Sequence, residues 1–597
     1  MRYKDLAFLI LTILAGAFCA QLAFAKEYKA KPIPSGVAVR TWKDFYKVAK
    51  RHNERVIIGS YKKMGKRDSK WDNAAISFLD GYTRWYTNSG EEYDFNAIMS
   101  QGKAAVDAGC DDPIILTCLG YMTYANQKYT DAVPLLLRGL DGFSKNTKLP
   151  RDIARLAPIF LLSAHIQMSD LMPGDDKAWR KLAIKWTAES VSDGSYLPDE
   201  TRVMYHYLCA NQHSFFEKDL RPLYEAVKSV KNPNKYFTCV LGGMLEIKEA
   251  WDARGNQFAY AVTEEGWEKF AKHLEIARKL LTQAWKLHPD YPEAPSAMIT
   301  VTMAGSANPE DTLRMWFDRA VAAQMDYEDA YNKMQNALLP RWSGSVEELY
   351  DFGVECLKTK RFDTSIPFRF HWLLLTIQSE SDGRWTYWQK PETAKYLTEL
   401  YDGSEKADTP KDKYLYPSFR AAAAVCCGRN DEAKQLIEKL GDNINKDAFW
   451  RYFRISYDSA KKSLDKGIVI GTIPQNPENG HYYEIRQIYY SVGWKQANLE
   501  AQGLTYKSLN GHLATITSDS EGAFIDSCRL NDVTCWIGGS RDTKGWDWVT
   551  DESWSYSKLP DYAAKITDES YLAINSNQAW MTLDKDGKLS AYVVEYE

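Results

Sequence analysis

The spacing of apolar residues changes once along the chain, and the change divides the chain into two regions. From about Thr41 to Asp465, apolar residues recur three and four positions apart, which predicts amphipathic helices. From about Ile473 to Glu597, short apolar runs alternate with polar residues and are rich in tryptophan, which is typical of strands. The sequence therefore predicts a multidomain chain in which an all-α region is followed by a compact α+β module.

The helical region shows an internal repeat. Its clearest helix pair covers residues 112–140, where the small residues Gly120 and Ala132 would let two antiparallel helices approach closely. A second signal is a recurrence at a distance of 36 positions, which relates Asp290, Tyr291 and Ala294 to Asp326, Tyr327 and Ala330. These features resemble the tetratricopeptide repeat, whose period is about 34 residues. We therefore expect residues 26–465 to form an irregular α-solenoid of helix pairs, with an elongated and curved body.

The C-terminal region carries six motifs in a fixed order. They are Gly480-His-Tyr-Tyr-Glu484, Trp494/Ala497/Ala501, Gly511-His-Leu-Ala-Thr-Ile-Thr-Ser518, Trp536-Ile-Gly538, Trp546-x-Trp548 and Tyr592-Val-Val-Glu-Tyr596. In this order the motifs resemble the C-type lectin-like domain in its bacterial form. The resemblance implies an α+β domain of that family over residues 480–597, the last fifth of the chain. A linker at 466–479, rich in turn-forming residues, is expected before it.

The resemblance also indicates where sugar-binding members of the family hold calcium. They use a Glu-Pro-Asn or Gln-Pro-Asp loop, a further Glu and a Trp-Asn-Asp triplet, because Ca²⁺ requires six to eight oxygen ligands. Here the triplet position reads Trp580-Met581-Thr582, and Leu559 stands where the loop should supply an acceptor. Glu569 remains near the place of the third ligand, and one carboxylate cannot hold the ion. We expect no calcium at this site and no other cofactor.

Four aromatic residues of the module are candidates for binding a ligand without calcium. Trp546, Trp548, Trp554 and Tyr556 could stack against a sugar, and Glu569 completes the set of candidate ligand-binding residues. The alternative is that they only pack. The spacing of Trp546 and Trp548 implies that at least one of the two fills the core.

The N-terminus predicts export. Residues 1–25 combine the charges of Arg2 and Lys4 with an apolar stretch and the cleavage pattern Ala23-Phe-Ala25, as a secretory signal peptide does. The apolar stretch is shorter than the roughly 20 residues of a membrane span, so we expect no stable span after cleavage. The mature protein is expected in the periplasm, at the cell surface or outside the cell.

The cysteines add one prediction about the module. Cys19 lies in the predicted signal peptide, so nine of the ten cysteines would remain, and at least one would lack a disulfide partner within the chain. Cys528 and Cys535 close a short loop between a predicted helix and the strand at Trp536. Because an exported protein can form disulfides, we predict a bridge between them.

Charge and motifs limit the classes of function. A net charge of −4 argues against nucleic acid as a partner. The sequence contains no zinc-protease helix, hydrolase elbow or nucleotide-binding glycine pattern, so it specifies no reaction. We expect a secreted, non-enzymatic scaffold that binds a protein partner through its helical repeats and its lectin-like module. The two alternatives are calcium-independent binding of an extracellular glycan and a glycan-active enzyme in the helical region, which would need two facing carboxylates.

Overall fold

The chain forms two compact units. The computed structural model describes residues 41–597, except 89, 169–175, 211–212, 258, 306–307, 309, 382–384, 408–411, 530–532, 551, 566–567 and 576–578. The predicted signal peptide at 1–25 therefore lies outside the described residues. One unit ends at Ser345 and the other covers Val346–Glu597. The second unit thus contains both the last helices of the helical region and the C-terminal sheet.

The first unit is helical throughout its described regular elements. Two π-helical turns, Glu54–Gly59 and His206–Ala210, interrupt the α-helical pattern. The α-helices, numbered α1 to α16, are Trp42–Asn53, Ser60–Met64, Asp72–Thr87, Phe95–Asp107, Pro113–Ala125, Tyr129–Lys145, Arg151–Ala154, Leu156–Gln167, Asp176–Ser190, Thr201–Tyr205, His213–Ser229, Lys235–Arg254, Glu264–Leu287, Glu293–Met303, Leu313–Ala323 and Glu328–Ala337.

Helices α5 and α6 form the close pair predicted around Gly120 and Ala132. The Asp112 side chain caps α5 by accepting a hydrogen bond from the Ile114 N–H at 2.9 Å. Gly120 lies where the helices cross, and a Cβ atom added there would be only 2.8 Å from Leu136 Cγ. Ala132 is fully buried on α6. The small residues therefore permit the approach that the sequence predicted.

The recurrence at 36 residues has a structural counterpart. Tyr291 and Tyr327 precede α14 and α16, and Ala294 and Ala330 are fully buried in the first turns of these helices. The helix pairs α13–α14 and α15–α16 therefore place equivalent residues at equivalent positions.

Helix α1 contacts a segment far away in sequence. Both carboxylate oxygens of Asp326 accept the backbone N–H of Trp42 at 3.0 Å, across 284 positions of the chain. The rings of Trp42 and Tyr327 lie 5.8 Å apart. In an ideal solenoid each repeat contacts only its neighbours, so this contact departs from simple nearest-neighbour stacking.

The second unit joins seven more helices of the helical region to the C-terminal module, which we define as residues 473–597. Every described regular element from Thr41 to Asp465 is helical, which confirms the helical prediction at that level. No helix in the described part of the chain has both the length and the apolar character needed to cross a bilayer. The helices α17 to α25 are Val346–Lys358, Arg369–Glu380, Pro391–Ala407, Leu415–Cys426, Asn430–Leu440, Lys446–Phe453, Tyr457–Asp465, Trp494–Gln502 and Asp519–Cys528.

The module is built on one mixed sheet in which the last strand, β8, holds a central place. Strand β8 pairs antiparallel with β1 and β3 and runs parallel to β4, which in turn pairs with β5 and β6, while β7 pairs with β6. Strands β1 to β8 are Tyr482–Val492, Thr505–Tyr506, Leu509–Leu513, Cys535–Asp542, Gly545–Trp548, Ser570–Ile574, Trp580–Asp584 and Leu589–Tyr596.

The octet Gly511–Ser518 contributes alternate residues to two hydrophobic cores. Leu513 packs with Trp494 of α24 in one core, which we call the first core. Ala514 and Ile516 pack in the other, which we call the second core. Successive residues of the octet therefore alternate between the two cores, and Leu513, Ala514 and Ile516 are all buried. An α+β module at the C-terminus is confirmed at this coarse level.

Candidate ligand-binding surface of the C-terminal module

Five aromatic side chains meet at one edge of the second core. Trp546 and Trp548 lie two positions apart on β5 and so share a face. Trp554 stacks on Trp546 at a centroid distance of 5.9 Å and lies 4.7 Å from Trp548. The ring of Trp580 on β7 lies 5.7 Å from Trp548 and 6.1 Å from Tyr556. We call these five residues the aromatic cluster.

The aromatic cluster is buried on one side and open on the other. Trp548 and Trp580 are 4% and 3% exposed and belong to the core. Trp546, Trp554 and Tyr556 are half-buried. The packing interpretation therefore holds for Trp548, whereas the other three predicted residues reach the surface. Sequence reasoning treated Trp580 only as part of the calcium triplet and missed its place beneath these rings.

Two indole groups of the cluster lack a hydrogen-bond acceptor. The Nε1 atoms of Trp546 and Trp548 are enclosed and have no partner among the described residues. An enclosed N–H that makes no hydrogen bond costs free energy. A water molecule or a ligand oxygen that reached these atoms after a small side-chain movement would recover that cost.

A polar pair borders the aromatic cluster. Asp519 at the start of α25 accepts hydrogen bonds from Tyr556 Oη at 2.9 Å and from Lys558 Nζ at 2.6 Å. These hydrogen bonds, that of Lys558 first, lower the pKa of the Asp519 carboxyl below its ordinary value. Leu559 packs against the second core. The segment after Trp554 is thus held against the module by an ion pair and by an apolar side chain that stands at the place of a calcium ligand.

Glu569 does not join the aromatic cluster. It precedes β6, where Ser570 pairs with Asp584, whereas Trp580 pairs with Ile574 at the other end of the same ladder. Four residues of strand separate the two places, or roughly 13 Å. The Glu569 carboxylate lies 2.8 Å from Lys495 Nζ, and this contact lowers its pKa. The sequence grouped Glu569 with the tryptophans, and the structure separates them.

The remaining residues of the calcium triplet lie on β7. Met581 packs against the first core, and Thr582 pairs with Leu572 of β6. Neither side chain offers the carboxylate or amide oxygen that a calcium site requires.

The predicted disulfide is not present. Cys528 and Cys535 are both free thiols. Cys528 Sγ lies 3.2 Å from the carbonyl oxygen of Phe524, and Cys535 Sγ lies 3.6 Å from that of Val533. Burial raises the pKa of each thiol to about 11. Each sulfur therefore has a local carbonyl acceptor, and the structure has a half-buried thiol at Cys528 and a buried thiol at Cys535 in place of the expected bridge.

Two buried carboxylates anchor the octet to the sheet and to α25. Glu521 accepts hydrogen bonds from the Thr517 N–H at 2.7 Å and from Tyr483 Oη at 2.5 Å. Glu595 on β8 accepts from the Thr515 N–H at 3.0 Å and lies 2.7 Å from the same Tyr483 hydroxyl, whose single proton is shared between the two carboxylates. Burial raises the pKa of Glu521. These contacts make the octet the structural centre of the module, and sequence reasoning did not foresee Glu595.

Two clefts in the helical part contain carboxylates that pair with basic side chains. A cleft of about 310 Å³ in the first unit includes Asp111 and Asp141, which pair with Lys66 at 2.6 Å and Lys145 at 2.7 Å. A cleft of about 540 Å³ in the second unit includes Asp402, which pairs with an arginine at 2.6 Å. A glycosidase needs one carboxyl group to act as an acid and another to act as a base or nucleophile. The pairing of these carboxylates does not favour that chemistry.

Comparison with known proteins finds a similarity over only part of the chain. No protein-family model matches it. A local similarity, 34% identical over 161 residues, relates the chain to Halomucin of Haloquadratum walsbyi. The similarity covers 23% of this chain and 2% of Halomucin, so the chain spans a very small part of that relative's length.

Proposed function

We propose that this protein is an exported, non-enzymatic binding protein. In this proposal the helical region is an irregular solenoid of tetratricopeptide-like helix pairs that holds a protein partner, and residues 480–597 are a C-type lectin-like module with a recognition surface. The signal-peptide pattern of residues 1–25 supports export. The local similarity to a protein named as a mucin gives export coarse support.

The aromatic cluster is the observation that carries the proposal. Its two buried tryptophans fix the positions of three half-exposed rings. A ligand that contacts Trp546, Trp554 or Tyr556 therefore meets side chains that are already ordered, which lowers the entropic cost of binding. Aromatic side chains with a polar border also resemble the centre of many protein interfaces.

A second candidate function is calcium-independent binding of a glycan. The observation that favours it is the combination of half-exposed ring faces with the enclosed indole N–H groups of Trp546 and Trp548. Ring faces bind the apolar side of a sugar, and a few placed polar groups fix its orientation. Met581 and Thr582 on β7 give no support to a calcium-dependent route.

The two functions are distinguished with the full chain and a pair of matched variants. Trp546→Ala removes a half-exposed ring of the cluster, and Trp450→Ala removes a ring that is 59% exposed in the helical part of the same unit. The binding of each protein to an oligosaccharide array is measured with and without EDTA. In a second assay each protein is mixed with the exported proteins of the producing cells, and bound partners are captured by cross-linking.

Three outcomes decide between the two functions and test the surface itself. A protein partner retained by Trp450→Ala and lost by Trp546→Ala supports the scaffold. Glycan binding that persists in EDTA and weakens at least tenfold in Trp546→Ala alone supports the second candidate. If both variants bind every ligand as the unaltered chain does, the aromatic cluster is not the recognition surface.

A further inference from the structure

Two imidazoles and two carboxylates meet on one face of the sheet, where β8 lies between β1 and β3. Glu595 of β8 pairs with Tyr483 of β1 and with His512 of β3. One residue further along the first ladder, His481 lies opposite Glu597, because Tyr482 pairs with Tyr596. Residues two positions apart on a strand share a face, so this register alone brings the four side chains together.

Each imidazole is held by one ring nitrogen and turns the other towards Glu597. His481 Nδ1 lies 2.6 Å from Glu595 Oε1, and its Nε2 lies 3.5 Å from Glu597 Oε2. His512 Nδ1 lies 3.0 Å from the carbonyl oxygen of Leu513, and its Nε2 lies 3.2 Å from Glu597 Oε1. Because a carbonyl oxygen only accepts, Nδ1 of His512 carries a proton, and Nε2 of the neutral ring offers a lone pair.

Nε2 of His512 has no hydrogen-bond partner among the described residues. It is enclosed, and its approach to Glu597 falls outside hydrogen-bond geometry, so it makes no hydrogen bond among the described residues. Its side chain is 13% exposed. An enclosed nitrogen without a hydrogen bond that points at a carboxylate is better suited to a cation between them than to the carboxylate alone.

The groups behind the imidazoles are those that support metal-binding histidines. Such histidines donate their other N–H to a carboxylate or a backbone carbonyl, which fixes the tautomer and the ring orientation. Glu595 does this for His481, and Leu513 does it for His512. Glu595 is itself fixed by Tyr483 Oη and by a backbone N–H, so the support is rigid.

We propose that His481 Nε2, His512 Nε2 and the Glu597 carboxylate form a binding site for a divalent first-row transition metal, with zinc as its probe. Ligand atoms about 2.0–2.1 Å from a tetrahedral zinc ion lie roughly 3.3–3.4 Å apart. His481 Nε2 lies 3.5 Å from Glu597 Oε2 and His512 Nε2 lies 3.2 Å from Glu597 Oε1, so each imidazole is close to that spacing from one oxygen of the carboxylate. Among the described residues, donor atoms of His481, Glu595 and Glu597 all lie within 4.8 Å of one another. His512 is outside that group and would reach the same ion through a movement of the exposed Glu597 side chain, which its Nε2 already approaches.

The donor set also selects the kind of metal. Imidazole nitrogens suit zinc, copper, nickel and cobalt, whereas calcium and magnesium require oxygen ligands. Three protein ligands leave a fourth position for water. The side chains of His481 and Glu597 are 26% and 41% exposed, so solvent reaches the site. The bound ion would join β1, β3 and the end of β8, and would stabilise the module.

Zinc is titrated into the metal-free full chain by calorimetry, and cobalt is used as a spectroscopic probe. We expect one zinc per chain, a rise in the melting temperature of the second unit of roughly 5–10 °C at a hundredfold excess over Kd, and a cobalt spectrum with nitrogen ligands. Glu597→Gln and His481→Gln should each weaken binding at least tenfold. Glu597 is the exposed ligand, so its variant keeps the fold.

His288→Gln is the matched control, because His288 Nδ1 also faces a carboxylate, that of Asp290 at 3.6 Å, and lies in the first unit. It should bind zinc as the unaltered chain does. The proposal is overturned if zinc does not bind, if Glu597→Gln and His481→Gln bind it unchanged, or if calcium competes equally for the same site.

Discussion

Replacement of His52 by alanine should destabilise the first unit by about 3 kcal/mol. His52 on α1 is fully buried, with Nδ1 3.0 Å from Glu200 and Nε2 3.1 Å from Asp152. Burial alone would lower the pKa of His52, but the hydrogen bonds to both carboxylates outweigh it and raise the pKa above 6.5. Removing one partner from a buried ion pair costs about 3–5 kcal/mol. The lower value applies because Arg155 still pairs with Asp152 at 2.9 Å and Arg55 with Glu200 at 2.5 Å.

The measurement must separate the two units, because a chain of two units does not unfold in one step. Hydrogen exchange of peptides from α1, followed by mass spectrometry and combined with urea unfolding, reports the first unit alone. His273→Ala is the control, since its ring is 23% exposed and pairs with Glu246 at 2.6 Å. That variant should lose about 1 kcal/mol or less. A loss in His52→Ala no larger than in this control would refute the buried ionic bridge.

Two further predictions concern the first unit. Its stability should be highest between about pH 4.5 and 6.5. The stabilisation from His52, whose pKa is raised, is complete below pH 6.5 and is lost as pH rises through the folded pKa. The stabilisation from Glu200, whose pKa is lowered, is complete above pH 4.5 and is lost as pH falls towards 2. Burial alone would raise the Glu200 pKa, but the hydrogen bond from His52 outweighs burial and the pKa falls to about 2. Urea unfolding midpoints measured across the pH range test both losses of stability, and a midpoint that does not change with pH would contradict them. Gly120→Ala should cost about 1–2 kcal/mol through its clash with Leu136, measured by thermal unfolding. Gly59→Ala, with φ of −62° and its nearest contact at 3.6 Å, should be neutral or slightly stabilising, and equal costs for the two variants would refute the close crossing.

Local spacing predicted the local elements because each depends on neighbours in sequence. Trp494, Ala497 and Ala501 share one face of α24 and are all buried, as positions three, four and seven apart must be on an amphipathic helix. The crossing at Gly120 followed from side-chain size in the same way. The exposure of Trp546 did not follow, because alternation assigns a residue to a face of a strand and does not say where the core ends.

Contacts between distant segments could not be predicted. Nothing near Asp326 indicates that it caps a helix beginning 284 positions earlier at Trp42. The position of Glu569 depended on the register of β6 and β7, which the motif alone does not contain. The length of the loop between Cys528 and Cys535 permits a bridge, but the direction of each thiol depends on how α25 and β4 pack.

The central place of β8 has a consequence for the order in which the module folds during synthesis. Strands β1, β3 and β4 all pair with β8, whose residues Leu589–Tyr596 emerge last of the module's strands. Until then the buried carboxylate of Glu595 is missing, and the octet lacks its anchor. The module is therefore expected to gain its sheet in one late step, with a high contact order and slow folding. Under the proposed export, it would cross the membrane before its strands are paired.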